Sequence, residues 1–354
     1  MRVHQWIPAA HLGDAVGNHA RALRGLFRAW GHESEIFALT IDEGLEDDTR
    51  PWGTPASRGG DVTIYHYAVP SPMSGAFRTL PGARVLYYHN VTPAHFFAPY
   101  DEGIFRMAAA GRRELATLVG HTDLALGVSA FNQRELDDLG FTPTGVLPII
   151  VDTSRLADAP RVPSIETTLQ DGLVNILFVG RIAPNKKIED HIRLAECYKR
   201  YVDIYYRFIF VGKCDAVPRY FSTVKALIAE YMMLPDRFWF TGPVPDVELA
   251  AYYRNAHAYV SLSEHEGFCV PLVEAMSMDV PVLAYAAGAV PETLGGAGVS
   301  FAPKDLEQAA ELLGALVYDE PLRRKIIDGQ RLRARAFRLD RLEPQIKSML
   351  ESVA

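Results

Sequence analysis

Short apolar runs alternate with amphipathic stretches along most of the chain. RVHQWIP (2–8) precedes a segment, Val16 to Trp30, in which Val16, Ala20, Leu23 and Phe27 recur at helical spacing and Gly31 marks the stop. The next strand-like runs are EIFAL (35–39), DVTIYHYAV (61–69), RVLYYHNV (84–91), DLALGVS (123–129) and TGVLPIIVD (144–152), with helical stretches over 103–119 and 131–139 between the last three. Such a rhythm predicts parallel strands joined by crossover helices. It lapses over TSRLADAPRVPSIETTLQDG (153–172), which holds two prolines and no clean period and reads as an interdomain linker. It then resumes with strands at 174–180, 204–212, 237–242, 258–263, 281–285 and 298–303, and helices near 188–201, 220–232, 246–255 and 271–278. The predicted fold class is α/β: two Rossmann-like doubly wound domains, 1–160 and 161–335, facing across a cleft, and a closing helix over 336–354. Open parallel sheets bind ligands at the carboxyl ends of their strands, and clefts between domains are preferred sites.

Composition narrows the function. The chain has 354 residues, 49% hydrophobic and 22% charged, enough for two domains. A net charge of −7 argues against nucleic acid as a partner. The late basic block RRKIIDGQRLRARAF (323–337) reads as a solvated helical face, with weak attraction to an anionic membrane surface as the alternative. Three cysteines without a CxxC pair fit a reducing compartment and exclude a disulfide scaffold. The first residues lack the apolar core of a signal peptide, and no apolar run reaches the ~18–20 residues that span a bilayer. A cytoplasmic location is expected, with peripheral contact at the inner membrane face left open. No cluster has metal-ligand spacing, so no metal is expected.

The chemistry concentrates in SLSEHEGFCVPLVEAMSMDVPVLAY (261–285), where Glu264, Glu266 and Glu274 sit among apolar residues. Buried carboxylates are costly unless paired. Pro271 suits the first turn of a helix, whose start would direct the N–H groups of Val270, Leu272 and Val273 at an anion. Glu274, one turn in, and Glu266, before the turn, are acceptors for hydroxylated rings. In FVGRIAPNKKIED, Gly180 ends a strand and Arg181, Lys186 and Lys187 follow, a planar donor and mobile charges suited to a diphosphate. An anion site flanked by two hydroxyl acceptors describes a nucleotide-sugar.

With these motifs the chain resembles the retaining glycosyltransferases of family 4, which have the two-domain GT-B fold. The frame Glu266-Gly267-Phe268-Cys269-Val270-Pro271-Leu272-Val273-Glu274-Ala275 carries the family's two glutamates separated by seven residues, and Gly180, Arg181 and Lys186 match its phosphate loop. FTGPVPDVELAAYYRNAHAYVSLS, GAVPETLGGAGVSFAP, VSAFNQRELDDLGF and LPIIVD are also similar to the family. The resemblance implies transfer of a sugar, with retention, from a GDP- or UDP-sugar to a hydroxyl of a glycan or lipid-linked acceptor in bacterial surface polysaccharide or glycoconjugate synthesis, with no further cofactor.

By the same resemblance, Glu274 would hold the ribose hydroxyls, and Glu266 with the backbone of Gly267 and Phe268 the donor sugar. Arg181 and Lys186 would meet the leaving diphosphate, where negative charge grows in the transition state. His89, ending YYHN (87–90), would reach the sugar near the reacting carbon. Gly13 and Asp14, in HLGDAVGN, occupy the place of the family's glycine-rich loop; Gly13 would allow close backbone approach and Asp14 would cap the helix. Gly180, Cys269, Val270 and Leu272 complete the expected donor-binding set. His66 reads as structural or cleft-lining, and Ser129 and Asn132 as a helix start. Departures are Lys187, Cys269 and Asp279 where the family usually has glycine, and a single glycine in the N-terminal loop. Alternatives are a nucleotide-sugar epimerase, a phosphorylase, and a non-catalytic nucleotide-sugar-binding partner on the same fold.

Overall fold

The structure, a computed structural model, describes residues 1–354. Contacts divide the chain into two units. One comprises Met1–His95, Glu102–Val151 and Leu339–Ala354, the other Phe96–Asp101 and Asp152–Arg338.

The first unit is built on strands β1 (Val3–Ala10), β2 (Ile36–Ile41), β3 (Arg50–Pro51), β4 (Val62–Tyr67), β5 (Ala83–Tyr88), β6 (Leu124–Gly127) and β7 (Thr144–Val146). They form one parallel sheet in the order β3-β2-β1-β4-β5-β6-β7. Helices α1 (Ala15–Ala29), α2 (Met73–Phe77), α3 (Glu102–Ala116) and α4 (Ala130–Leu139) make the connections. All six residues of β4 are buried, as expected of a central strand covered on both faces. β3 has two exposed residues at the sheet edge, too few to leave a pattern in the sequence. Asp14 caps α1 by accepting from Gly17 N–H at 3.0 Å, and Ser129 caps α4 by accepting from Asn132 N–H at 3.2 Å. Because the order reverses at β1, the carboxyl ends of β1 and β4 flank the switch point where open sheets leave a crevice.

The second unit begins with α5 (Ser154–Ala157) and α6 (Pro163–Leu169). Its sheet holds β8 (Val174–Val179), β9 (Tyr206–Val211), β10 (Phe238–Gly242), β11 (Ala258–Ser261), β12 (Val282–Tyr285) and β13 (Val299–Phe301), parallel in the order β10-β9-β8-β11-β12-β13. The helices are α7 (Ile188–Tyr201), α8 (Pro218–Glu230), α9 (Asp246–Arg254), α10 (Val270–Ser277), α11 (Val290–Leu294), α12 (Leu306–Tyr318) and α13 (Glu320–Arg335). A last helix, α14 (Leu339–Val353), belongs to the first unit, where Trp30 Nε1 donates to Glu343 at 3.2 Å and Gln345 to the Val146 carbonyl. No helix is long and apolar enough to cross a membrane.

One expectation needs correction and another needs completing. The stretch 153–172 is not a bare linker: α5 and α6 bury Leu156 and Leu169, and Arg254 donates to the Leu156 carbonyl at 3.1 Å and the Pro160 carbonyl at 3.2 Å. Segments this short, with Pro160 and Pro163, show no period, and tertiary contacts hold them instead. The basic block does present a solvated face, with Arg324, Lys325, Arg331 and Arg335 exposed, while the opposite side of α13 is packed. Gln330 is fully buried, donating to the Val280 carbonyl at 2.8 Å and accepting from Val282 N–H at 2.9 Å, so α13 ties down the start of β12.

Candidate active site

The crossover from β9 and β10 back to β11 puts β11 beside β8, with Ala258 opposite Ile176. Segments far apart in the sequence thus share the carboxyl edge at the switch point of the second sheet. Gly180 ends β8 with φ +151°, and a Cβ there would press on the Phe178 ring at 3.2 Å. Next to it, a Cβ at Gly212 would lie 2.3 Å from the Gly180 carbonyl oxygen, so the backbone at this edge tolerates no side chain.

Each of the three glutamates is paired within the unit: Glu266 and Glu274 are buried, and Glu264 keeps 35% of its side chain exposed. Lys186 Nζ donates to both Glu266 oxygens, at 2.6 and 2.7 Å, and Glu266 is 7% exposed. Glu264 accepts from Lys304 at 3.0 Å and lies 3.3 Å from Lys187. Lys304 also holds Asp190 at 2.8 Å and the Leu262 carbonyl at 2.9 Å. Glu274 accepts from Arg155 Nη2 at 2.6 Å and Tyr253 Oη at 3.0 Å, and Arg155 also pairs with Asp246. Burial pushes the Glu274 carboxyl above the usual carboxylate range, and Arg155 and the Tyr253 hydroxyl pull against that shift. One lone pair on each Glu274 oxygen remains for further donors. Arg181 is exposed and has no carboxylate partner, which leaves its fork open to an anion.

Glu266 is set by its backbone. Its carbonyl accepts from Ala289 N–H at 3.0 Å, and a Cβ on Gly288 (φ +56°) would sit 2.5 Å from that oxygen. Phe268 is buried edge-on against Phe337 at 5.1 Å, and its carbonyl accepts from Thr293 Oγ1 at 2.6 Å. That carbonyl is therefore already engaged. Leu272 N–H returns to the Cys269 carbonyl at 3.1 Å, so this donor is not directed at a ligand as the sequence suggested. Val270 and Glu274 lie on α10 as expected, and burial pushes the Cys269 thiol up, keeping it neutral.

The three positions where the resemblance leads one to expect glycine share a backbone feature. Lys187, Cys269 and Asp279 have φ of +52°, +71° and +60°, the left-handed region that favours glycine. Two of these side chains are used: Lys187 pairs with Glu264 and Glu189, and the Asp279 carboxylate accepts two hydrogen bonds from Arg331, at 2.6 and 2.7 Å.

In the first unit, Gly13 and Asp14 follow β1. A Cβ at Gly13 would meet no atom, so its φ of +72°, rather than close packing, requires glycine. His89 follows β5, its N–H bonded to the Tyr67 carbonyl at 2.9 Å. His89 Nε2 lies 2.9 Å from His66 Nδ1, and burial holds the His89 pKa down to about 3. His66 is fully buried and Asn132 caps the Tyr88 carbonyl from α4, so both serve the sheet edge rather than standing free. Sequence reasoning missed Arg155, Tyr253, Lys304, Gly288 and Gln5. Each acts on a group from a distant element, and no local spacing marks such partners.

Comparison with known proteins places this geometry. The fold is that of the GT-B glycosyltransferases, two parallel-sheet Rossmann-like domains. Residues 166–333, all within the second unit, match the family model described as glycosyl transferases group 1. The chain is 37% identical over 253 residues to a GDP-mannose-dependent alpha-mannosyltransferase of Mycolicibacterium smegmatis, covering 68% of this chain and 60% of that one. It is 26% identical over 303 residues to the serotype-specific mannosyltransferase WbdA of Escherichia coli, and spans 33% of that protein's length. Among solved structures, Anabaena Alr3699/HepE in complex with UDP-glucose is similar at a TM-score of 0.77 and 16% identity, over 99% of this chain and 100% of that one.

Proposed function

We propose that the protein is a hexosyltransferase that moves a sugar from a nucleotide diphosphate donor to a hydroxyl acceptor with retention of anomeric configuration. One observation carries the reading: an unpaired guanidinium, Arg181, shares a switch-point edge with a Lys186–Glu266 pair and a hydrogen-bonded Glu274. The diphosphate would meet Arg181 and draw Lys186 from Glu266. That exchange frees the Glu266 carboxylate for the sugar as the phosphate arrives, which couples donor binding to site assembly. Glu274 would take the ribose hydroxyls on its remaining lone pairs. Gly13, Asp14, Gly180, Gly267, Phe268, Cys269, Val270 and Leu272 would line the donor, and His89 would serve the reacting end. The domain assignment of 1–160 to the acceptor and 161–335 to the donor, with 336–354 returning to the former, is part of this proposal.

The mannosyltransferase relatives make GDP-mannose the first donor to test, and the UDP-glucose complex of HepE makes UDP-glucose the second. The acceptor would be a growing glycan or lipid-linked saccharide, which brings the protein to the inner membrane face from the cytoplasm. The experiment is release of nucleoside diphosphate from each donor with a panel of saccharide acceptors. Turnover lost in Glu266→Ala and Arg181→Ala is expected. Conversion of the donor without acceptor would make the protein an epimerase, and wild-type turnover in both variants would remove the proposed site.

A further inference from the structure

We propose that Gln5 and His66 are positioning residues that hold His89 in its Nε2–H tautomer, so that His89 offers Nδ1 as a hydrogen-bond acceptor and selects a hydroxyl over an anion. The identity of the hydroxyl rests on the glycosyltransferase reading; the tautomer does not.

One hydrogen-bonded chain, from α1 through Gln5 and His66 to His89, sets the proton positions. The Ala20 carbonyl can only accept, and it takes the Gln5 Nε2 amide at 2.9 Å. Gln5 Oε1 is thereby turned to His66 Nε2, also at 2.9 Å. Since Oε1 can only accept, His66 Nε2 carries the hydrogen. A neutral imidazole has one N–H, so His66 Nδ1 is an acceptor, and His89 Nε2, 2.9 Å away, must donate to it. His89 Nδ1 is then a bare lone pair, buried and without a protein partner. Each step fixes the next, and the first is anchored on a main-chain oxygen of α1.

The surroundings keep the rings neutral. His66 is fully buried, and burial with the neighbouring His89 and His19 holds its pKa well below the usual imidazole range. His19 stands 6.0 Å from His66 and 6.2 Å from His89, and its Nδ1 accepts from Ile150 N–H at 3.0 Å. No carboxylate is hydrogen-bonded to any of the three rings. A phosphate or carboxylate oxygen would therefore meet lone pair against lone pair at Nδ1. A sugar hydroxyl can donate there, and a site built to receive a hydroxyl rejects an analogue that lacks it.

The test uses the full chain labelled with 15N-histidine. Two-bond 1H–15N correlation at pH 7 reads each ring's tautomer, and the two resonances are identified by their loss in His66→Gln and His89→Gln. Both rings are expected as Nε2–H tautomers in the wild type. In Gln5→Leu the His89 pattern should shift toward Nδ1–H. An Nδ1–H or doubly protonated His89 in the wild type overturns the proposal, and so does an unchanged His89 in Gln5→Leu. On turnover, His66→Leu should lower kcat/KM about tenfold while nucleoside diphosphate affinity stays as it was, and His66→Gln, which can still accept and donate, should recover most of that loss. Equal losses in both variants would also overturn it. If the wild type shows the expected tautomers but transfers no sugar, the enzymatic reading fails and the tautomer assignment stands.

Discussion

Replacing Arg155 by methionine isolates the charge on Glu274. Arg155 bridges Glu274, whose side chain is 9% exposed, and Asp246, which is 48% exposed. The Asp246 contact is a surface pair of little value. The Glu274 contact is different, because without it a buried carboxylate keeps only the Tyr253 hydroxyl. Breaking a fully buried pair costs about 3–5 kcal/mol, and the partial exposure of Arg155 brings the expected loss to about 2 kcal/mol at pH 8. The sign of the pH dependence follows. Burial already raises the Glu274 pKa above its unfolded value, and removing the guanidinium raises it further. A raised acid is stabilising below the unfolded pKa, and that stability is lost as pH climbs through the folded pKa. The deficit of Arg155→Met should therefore be large at pH 8 and shrink toward pH 5, where Glu274 can take a proton. Urea unfolding at both pH values measures it, and Glu274→Gln in the Arg155→Met background should restore most of the loss at pH 8. Equal deficits at pH 5 and pH 8, or no restoration by Glu274→Gln, would refute the account of Glu274 as a buried, neutralised charge.

Three further outcomes are expected. Arg181→Met removes an exposed side chain without an ion pair, so stability should change by less than about 0.5 kcal/mol, while calorimetric titration shows nucleoside diphosphate binding weakened about tenfold or more; a large stability loss with intact binding would reverse the assignment. Gly288→Ala puts a Cβ 2.5 Å from the Glu266 carbonyl oxygen in a left-handed backbone, and it should cost about 2 kcal/mol and displace Glu266, read as a lower melting temperature together with lower turnover. Burial depresses His19, His66, His89 and His191, the last to about 4, so the unfolded chain takes up protons first as pH falls below the unfolded imidazole value. Each contributes a slope of about 1.4 kcal/mol per pH unit, and a melting temperature that stays flat from pH 6.5 to pH 5 would contradict their neutral burial.

The sheet rhythm was legible because parallel strands are covered on both faces and read as short, mostly apolar, β-branched and aromatic runs, as in VTIYHY and YRFIFV. α5 and α6 were not, since four- and seven-residue helices are too short to show a period. The positive-φ positions were visible only as departures: Lys187, Cys269 and Asp279 look like lost glycines until the backbone shows all three in the left-handed region.

Local sequence alone settled where the longer strands and helices fall and which residue types gather in the EGF turn and the loop after Gly180, because periodicity and turn chemistry act between near neighbours. Only tertiary structure decided who pairs with whom. The crossover that sets β11 beside β8 delivers Lys186 to Glu266, α5 delivers Arg155 to Glu274, and β1 with α1 fixes the proton on His66. Electrostatic partners are chosen by distance in space and by the loss of water around them, and neither quantity is written in the spacing of residues along a chain.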